Sequence, residues 1–238
     1  MPDSDVLHLT SAIAHDMGAP VRHIQAFTQM LKKSLELTPK QEKLFGFVEV
    51  SAEKLALQLK DVARYGDLER PRENTSVDLD RTLEIALAKV HERIGDAVIN
   101  AADLGRVWGR PDHILTLLTE LVSNAATFRR IEPREATAEP RSPNEICHIH
   151  VRTARREGLW RLEVDDNGIG IREDAGDAVF DMWRQLHKEG TYPGRGAGLA
   201  VCKRIASLHG GRIGHQPLEQ GTRFWVELPD YQEPSGPP

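Results

Sequence analysis

His15-Asp16-Met17-Gly18-Ala19-Pro20-Val21, near the start of the chain, is the stretch on which the interpretation of the whole sequence depends. Three shorter signatures follow it in order: Glu-Leu-Val-Ser-Asn at 120–124, Asp-Asn-Gly-Ile-Gly at 166–170 and Gly-Arg-Gly-Ala-Gly at 194–198. Together the three predict one nucleotide pocket. A histidine on a helix combined with one ATP pocket indicates phosphoryl transfer onto that histidine.

His15 is predicted to point toward solvent. It lies two residues from Ile13 and two from Met17, which is about 200° around a helix from each of these apolar residues. Asp16 can accept a hydrogen bond from one ring nitrogen and leave the other neutral and nucleophilic. Pro20 lacks a backbone donor and should kink or loosen the helix just after the histidine. An ordinary surface histidine is the alternative for this residue taken alone.

The first block of the chain, residues 1–68, has helical periodicity. Apolar residues recur at steps of three and four in two series, and Leu37-Thr38-Pro39 between them supplies a helix stop, an N-cap and a proline for the first helical position. The first series is Leu9, Ile13, Met17, Pro20, Ile24, Phe27, Leu31 and Leu35, and the second is Leu44, Val48, Ser51, Leu55, Leu59 and Val62. This pattern predicts an antiparallel helical hairpin. One apolar stripe per helix is too small a core, so we predict a homodimer with a four-helix bundle.

The second block, residues 77–229, mixes helix and strand periodicities and follows a polar, proline-containing linker at 69–76. Helices are expected at about 80–94, 111–129 and 198–208, and strands near 97–101, 147–154, 159–165 and 222–228. These elements predict a layered α/β sandwich. An exposed loop is expected at 131–145, and a flexible tail at 230–238.

Composition and charge exclude several classes of protein. The 238 residues carry 31 basic and 36 acidic side chains, so the net charge of −5 gives no nucleic-acid footprint. No apolar run approaches the roughly 20 residues that cross a bilayer. The acidic start at 1–5 is unlike a secretory signal, so we expect a cytoplasmic protein. Cys147 and Cys202 are expected to be reduced thiols.

Two polar residues of the predicted helix at 111–129 are candidates for catalysis and metal binding. Glu120 and Asn124 are four residues apart and therefore share a helix face. An amide oxygen suits Mg²⁺, which takes a few protein oxygens together with waters and phosphates. The Glu120 carboxylate can orient or deprotonate the incoming nucleophile. A merely exposed polar face is the alternative for this pair.

The glycine-rich signatures predict contacts to the nucleotide. Asp166, at the end of a predicted strand, can accept a hydrogen bond from an adenine amino group, and the glycines after it allow the backbone to approach a flat base. The glycines at 194–198 open a helix, and backbone amides at such a helix start form an anion site. Each of these two motifs is weak when taken alone.

The order and spacing of the motifs resemble the transmitter module of a sensor histidine kinase, over about residues 5–229. That module joins a dimerisation and histidine-phosphotransfer hairpin to a catalytic ATP-binding domain, which is similar to the ATPase domains of gyrases and certain heat-shock chaperones. Several strings resemble phytochrome-type kinases in particular. They are the run from His15 to Ile24, Gln185-Leu186-His187, Tyr192-Pro193-Gly194, Cys202-Lys203-Arg204-Ile205 and His209-Gly210-Gly211.

The resemblance implies a role for each matched residue. His15 is then the phosphoacceptor, Asp16 its acidic partner and Glu120 the residue that helps to activate it. Asn124 would then bind Mg²⁺, and Asp166 would bind the adenine. The remaining matches are Gly168 and Gly170 at the base, Gly194, Gly196 and Gly198 beside a mobile ATP lid at about 172–195, and Phe180 and Trp183 as aromatic anchors of that lid.

In the hairpin the sequence departs from the family pattern at two positions beside His15. The family often has a basic residue where Gly18 stands. It often has a threonine or asparagine where Ala19 stands, and that side chain would position water for dephosphorylation of a partner. Ala19 therefore argues against efficient phosphatase action by that route.

Further departures lie in the second block. Thr127 replaces a frequent lysine near the phosphates, a role for which Arg129 or Arg130 is a substitute. Arg195 stands where a small residue is usual between the lid glycines, and Arg184-Gln185 inverts the usual order of those two residue types. These departures predict weakened kinase activity.

The resemblance also implies partners. The γ-phosphoryl group of ATP would pass to His15 and then to an aspartate of a response-regulator receiver domain, and an upstream sensor domain would supply the input. A module acting mainly as a phosphatase of its regulator stays open as an alternative. So does a nucleotide-binding dimerisation module without transfer. Transfer within or between protomers depends on the handedness of the turn around Thr38-Pro39, which the sequence leaves undecided.

Overall fold

The computed structural model describes residues 3–129, 146–187 and 191–230. The predicted loop at 131–145 lies outside these ranges, and so does the predicted tail except for Asp230. The chain forms two compact units, Met1–Pro71 and Arg72–Pro238. None of the described helices is long and apolar enough to cross a membrane.

The first unit is the predicted helical hairpin. Helix α1 spans Asp3–Ser34 and continues through Pro20, and helix α2 spans Pro39–Asp67. Thr38 caps α2 as expected: its hydroxyl oxygen accepts the Gln41 N–H, while the Gln41 side chain accepts the Thr38 N–H at 2.9 Å. This reciprocal capping box satisfies donors that the helix start would otherwise leave open.

Few side chains are buried in the hairpin, and most of the large apolar residues are not among them. The buried side chains of the two helices are Val21, Thr28, Ala52, Leu59 and Asp61. A Cβ atom on Gly66 would overlap the Thr10 hydroxyl, and Lys32 Nζ lies 2.8 Å from a Glu49 carboxylate oxygen. The two helices therefore pack closely along a narrow seam.

The predicted apolar stripe remains exposed within one copy of the hairpin. Phe27, for example, is 60% exposed and Leu31 is 46% exposed. The other exposed members are Leu9, Ile13, Met17, Ile24 and Leu35 on α1, and Leu44, Val48 and Leu55 on α2. A contiguous apolar surface of this kind marks an interaction site.

The second unit is built on a five-stranded mixed sheet, in the order β2-β4-β5-β7-β6, beside a two-stranded pair, β1-β3. The strands are β1 Thr75–Asp78, β2 Val98–Ala101, β3 Arg106–Gly109, β4 His148–Arg156, β5 Leu159–Asp166, β6 Arg212–Pro217 and β7 Thr222–Pro229. Among the strands that the structure describes, only β2 and β4 pair in parallel. The helices are α3 Leu79–Lys89, α4 His91–Ile94, α5 Pro111–Thr127 and α6 Gly198–Leu208, with a 3₁₀ segment at Glu173–Phe180. The expected helical block followed by an α/β domain is confirmed.

One face of the five-stranded sheet packs against helices and forms the core of this unit. The helices contribute Leu117, Leu118, Leu121 and Ile205, and the strands contribute Ile149, Leu162, Val164, Phe224 and Val226, all of which are buried. Between α5 and the end of α6, the buried ring of His113 lies with Nδ1 3.1 Å from Nε2 of His209. Alternation along each strand thus sends apolar side chains to the helical face.

The opposite face of the sheet carries a ladder of ion pairs across the strands. Arg152 and Arg223 both contact the Asp165 carboxylate at 2.7 Å, and Arg161 and Arg212 both contact Glu227 at 2.6 Å. Although burial by itself raises the pKa of Asp165, the hydrogen bonds and charges of the two arginines hold it below its ordinary value. This face is therefore charged but internally paired.

Several boundaries differ from the expectation. The helix predicted at about 80–94 is interrupted at Val90, whose backbone leaves the helical region, so α3 and α4 are separate. Strands β1, β3 and β6 were not predicted, and β1 takes the last two residues of the expected linker at 69–76. β1 and β3 have only four residues each, which is too short for a periodicity to be read.

Candidate functional site

His15 lies on the surface of α1 with its side chain 88% exposed. Its Nδ1 is 2.9 Å from Oδ1 of Asp16, so the ring donates from Nδ1 to the carboxylate. In that tautomer Nε2 carries the lone pair and faces solvent. The pair has the geometry expected of an oriented nucleophile, while the role of phosphoacceptor stays a prediction.

Glu120 and Asn124 lie half-buried on α5, one helical turn apart. The start of α6 approaches Glu120 so closely that a Cβ atom on Gly198 would overlap its carboxylate oxygen. A carboxylate at a helix N-terminus is stabilised by the unpaired N–H groups there. Gly198 is thus needed for the approach of α6 to Glu120, which explains the last glycine of the 194–198 signature.

Asp166 ends β5 and is the most strongly perturbed acid in this part of the fold. Its Oδ1 accepts the Gly168 N–H at 2.8 Å and the Thr222 N–H at 3.3 Å. Burial raises the pKa of its carboxyl to about 6, against the lowering effect of these two bonds. Because both bonds go to Oδ1, Oδ2 is left as the acceptor for an external donor such as an exocyclic amino group.

Two close approaches hold the Asp166 loop in place. A Cβ atom on Gly168 would overlap the Phe128 carbonyl oxygen, which also accepts the Ile169 N–H at 3.0 Å. The loop after β5 is therefore pinned to the end of α5, the helix that carries Glu120 and Asn124. This contact brings two of the three predicted signatures together.

Sequence reasoning missed Gly221 and Thr222. Gly221 has φ +87°, and a Cβ atom there would overlap the Asp166 carbonyl oxygen. Thr222, which is buried, follows it and donates its N–H to the Asp166 carboxylate. A Gly-Thr pair opening a predicted strand was the available signal, since a buried threonine at a strand start needs a polar partner.

Asn167, inside the second signature, has a structural role. Its side-chain oxygen accepts the His148 N–H at 2.8 Å, and its amide nitrogen donates to the Ile146 carbonyl at 2.8 Å. Asn167 therefore secures the start of β4 rather than facing a ligand.

The predicted lid is anchored at both ends by contacts among described residues. Phe180 is buried and packs edge-on against Phe224 at a ring distance of 6.5 Å. Trp183, by contrast, is 40% exposed, so only Phe180 of the expected aromatic pair is a buried anchor. At the other end, the Gly196 carbonyl accepts the Trp183 N–H at 2.9 Å, and Gln185 donates to the Gly194 carbonyl at 2.8 Å.

Aromatic contacts extend this lid toward α5. The rings of His187 and Tyr192 lie 5.7 and 5.2 Å from the ring of Phe128, and 5.2 Å from each other. Two aromatic side chains from within the lid thus reach Phe128, the residue whose carbonyl pins the Asp166 loop.

Of the two arginines suggested as substitutes for a lysine at position 127, the structure describes only Arg129. The Thr127 hydroxyl donates to the Ser123 carbonyl at 2.7 Å, as threonines in helices often do. Arg129 pairs with Asp96 at 3.1 Å, and Arg130 lies outside the described residues. Arg93, which was not predicted, reaches α5 and donates to the Ser123 hydroxyl at 2.7 Å.

Neither cysteine is placed for redox or metal chemistry. Both are buried and neither forms a disulfide, and burial raises the pKa of the Cys147 thiol to about 11. A buried neutral thiol is a poor nucleophile. Within the ranges that the structure describes, no three His, Cys, Asp or Glu side chains come together as a metal cluster.

A mixed sheet with helices on one face, ending in a buried aspartate beside glycine turns, defines the second unit as a nucleotide-binding ATPase domain, preceded by a hairpin with an exposed histidine. Residues 109–232 match the family described as histidine kinase-, DNA gyrase B- and HSP90-like ATPase. The match covers more than half of the chain, and the chain belongs to this family. The resemblance to a sensor histidine kinase transmitter module is thereby confirmed.

Full-length relatives are similar along nearly the whole chain. Cyanobacterial phytochrome A of Nostoc sp. is 26% identical over 222 residues, covering 91% of this chain and 27% of the relative. Sensor histidine kinase GacS of Pseudomonas protegens is 29% identical over 245 residues, covering 95% of this chain and 25% of the relative. The crystal structure of full-length ShkA has a TM-score of 0.61 at 21% identity over 93% of this chain and 45% of that chain, which shows a common fold. The chain spans about a quarter of the length of these two curated relatives.

Proposed function

We propose that this chain is the output module of a two-component histidine kinase, which transfers the γ-phosphoryl group of ATP to His15 and then to an aspartate of a response-regulator receiver. The observation that carries the proposal is the hydrogen bond from His15 Nδ1 to Asp16, which leaves Nε2 exposed and nucleophilic. In the transfer, Nε2 bonds to the γ-phosphorus while the bond to the bridging oxygen breaks. ADP leaves with that electron pair, and the Nδ1 proton stays shared with Asp16.

The ATP site of this proposal is formed by α5, the Asp166 loop and the lid. Asp166 Oδ2 accepts the adenine amino group, with Gly168 and Gly170 against the base. The start of α6, opened by Gly194, Gly196 and Gly198, offers backbone N–H groups to the phosphates. ShkA was crystallised in complex with AMPPNP, which supports nucleotide binding by this fold.

The oxygen donors on α5 fit a magnesium ion. The Asn124 amide oxygen is the residue that would hold it, since Mg²⁺ takes few protein ligands and completes its shell with water and phosphates. When bound, the ion would neutralise charge on the phosphates. Glu120, one turn earlier, orients the incoming imidazole in this proposal.

The exposed stripe on α1 and α2 is covered in this proposal by a second copy of the chain. Two hairpins in a four-helix bundle bury both stripes, which none of the contacts within one copy does. An upstream sensor region supplies the input, in keeping with relatives about four times as long as this chain.

The alternatives make different predictions. A module that acts mainly as a phosphatase needs a side chain to position water beside His15, and the methyl group of Ala19 cannot do so. A dimerisation module without transfer would bind ATP but form no phosphohistidine. The kinase is favoured because His15 is held in a nucleophilic tautomer.

Incubation with γ-labelled ATP and Mg²⁺ tests the proposal, with wild type compared against His15→Gln. We expect a label that is lost in acid, stable in alkali and absent from the variant. The matched control is His23→Gln, which removes another exposed histidine of α1 and should keep the label. Label retained by His15→Gln, or ATP binding without any label in wild type, would overturn the kinase proposal.

A further inference from the structure

Arg22 lies one helical turn after Gly18 on α1, on the face of the helix that carries His15. Arg22 follows His15 by seven residues, so the two lie within about 20° of each other around the helix. A Cβ atom built on Gly18 would lie 3.1 Å from Nη1 of Arg22. The Arg22 guanidinium therefore lies over Gly18, in the space that a side chain at 18 would occupy.

Helix geometry accounts for this placement. Side chains on a helix lean toward its N-terminus, so an arginine at 22 reaches back over residue 18, where a glycine leaves room for it. Residue 18 is about 4.5 Å along the axis from His15, the spacing at which side chains on one face are neighbours. The guanidinium thus lies over the turn of α1 between Arg22 and His15.

The Arg22 side chain is available for a ligand. It is exposed, and among the described residues no ion pair or hydrogen bond engages its guanidinium. The acid nearest in sequence, Asp16, is bonded to His15 Nδ1. A planar guanidinium binds phosphoryl oxygens through two parallel hydrogen bonds.

We propose that Arg22 binds the phosphoryl group as it reaches His15 Nε2 and holds it in the phosphohistidine, replacing the basic residue absent at Gly18. This inference rests on the proposed function, because it names a further catalytic residue for the same transfer. It also removes Gly18 as a reason to expect weak kinase activity. The chemistry is that of the transfer described above, in which Arg22 neutralises charge on the oxygens and exchanges no proton.

Arg22→Gln is the first test. We expect it to slow ATP-dependent labelling of His15 by about tenfold or more, the size of effect expected from a lost charge-assisted hydrogen bond. The dissociation constant for ATP should not change, because Arg22 belongs to the hairpin unit. The matched control, Lys33→Gln, removes another exposed cation of α1 and should label at the wild-type rate. An unchanged rate in Arg22→Gln would overturn the assignment.

A rescue variant separates a phosphate-binding role from a structural one. Gly18→Lys combined with Arg22→Gln returns a cation to the same space from the earlier position, and we expect it to recover most of the lost rate. Gly18→Ala with Arg22→Gln adds only a methyl group and should recover nothing. Equal helical content by circular dichroism shows that the variants are folded alike. Equal rates for the lysine and alanine combinations would contradict the proposal.

Phosphoramidate, a small direct phosphoryl donor, tests Arg22 without the ATP site. Wild type should form phosphohistidine at His15, seen by ³¹P NMR, faster than Arg22→Gln and with slower hydrolysis. If ATP gives no label but this dependence on Arg22 remains, the kinase proposal fails and the Arg22 proposal stands. If ATP labels both proteins equally and phosphoramidate does too, the kinase proposal stands and the Arg22 proposal fails.

Discussion

The hairpin and the ATPase domain treat their apolar side chains in opposite ways. In the ATPase domain, Leu117, Leu118 and Leu121 of α5 are fully buried against the sheet. In the hairpin, large apolar residues such as Phe27 and Leu31 stay exposed while threonine, alanine and glycine fill the seam between the helices. The ATPase domain thus buries its large apolar side chains within one copy, whereas the hairpin leaves most of its stripe exposed.

The candidate functional residues of the two units also differ in burial. Asp166 of the ATPase domain is buried and perturbed by its surroundings, as befits a residue that selects one ligand group in a dry pocket. His15 of the hairpin is exposed and oriented by a single neighbour, as the proposed phosphoacceptor must be if an ATP-binding domain and a receiver domain are to reach it in turn. Burial thus separates the proposed adenine-binding residue from the proposed phosphoacceptor.

Negative charges placed on the exposed stripe of the hairpin should have the largest effect on assembly and stability. If they had none, the contrast between the hairpin and the ATPase domain would not hold. We expect Phe27→Glu with Leu31→Glu to abolish the dimer and melt the hairpin, because burying two carboxylates in a bundle core is strongly unfavourable. Light scattering should then report a monomer, with the thermal transition of the ATPase domain unchanged. Gln29→Glu adds a charge on the same helix and should leave a dimer. A dimer retained by the double variant would show that the stripe is not the interface.

Matched leucine truncations should show how the two units differ in stability. We expect Leu118→Ala to lower the free energy of unfolding of the ATPase domain by about 2–5 kcal/mol, independently of protein concentration. Leu31→Ala should destabilise the hairpin by an amount that depends on protein concentration, because its burial requires a second copy. Chemical denaturation at two protein concentrations measures both. A loss in Leu31→Ala that is the same at both concentrations would contradict the assignment.

A smaller effect should follow the ionisation of Asp166. Since its pKa is about 6 and the ionised carboxyl accepts the adenine amino group, ATP affinity should be constant above pH 7 and weaken below pH 6. The fall is at most about tenfold per pH unit for one proton. Asp166→Asn should bind more weakly at pH 8 and show no such fall, so the ratio of the two affinities isolates this group from titration of the nucleotide.

Loss of ATP affinity at low pH cannot come from unfolding caused by protonation of Asp166. A carboxyl whose folded pKa lies above its unfolded pKa of about 4 stabilises the folded domain at low pH, and this contribution is lost as pH rises through about 6. Affinity and stability should therefore change in opposite directions below pH 6. A parallel change in both would place the titration elsewhere.

The sequence was most informative where the structure depends on near neighbours. Thr38 and Pro39 located the start of α2, and the steps of three and four found the exposed stripe. The order of the three glycine and asparagine signatures indicated the family. The roles of His15, Glu120, Asn124 and Asp166 stay predictions, although the structure places Asp166 and α5 together through the Phe128 carbonyl.

Other features required the tertiary structure. Gly221 and Thr222 reach Asp166 from 55 and 56 residues away, and neither resembles a site residue by itself. Arg129 was predicted as a possible phosphate ligand, but it pairs with Asp96, which no spacing could have suggested. Trp183 matched an anchor by its residue type, but its side chain is 40% exposed and its backbone lies at φ +63°.

The sequence by itself determined the hairpin helices, the cap of α2, the exposed stripe and the set of motifs, because helical hydrogen bonds and capping join residues three or four apart. The tertiary structure decided which short strands pair, which backbone lies against the Asp166 carboxylate and which cation covers Gly18. Strand pairing and close glycine contacts join residues that are distant in the chain, so their partners are specified only when the whole sheet and its helices pack together.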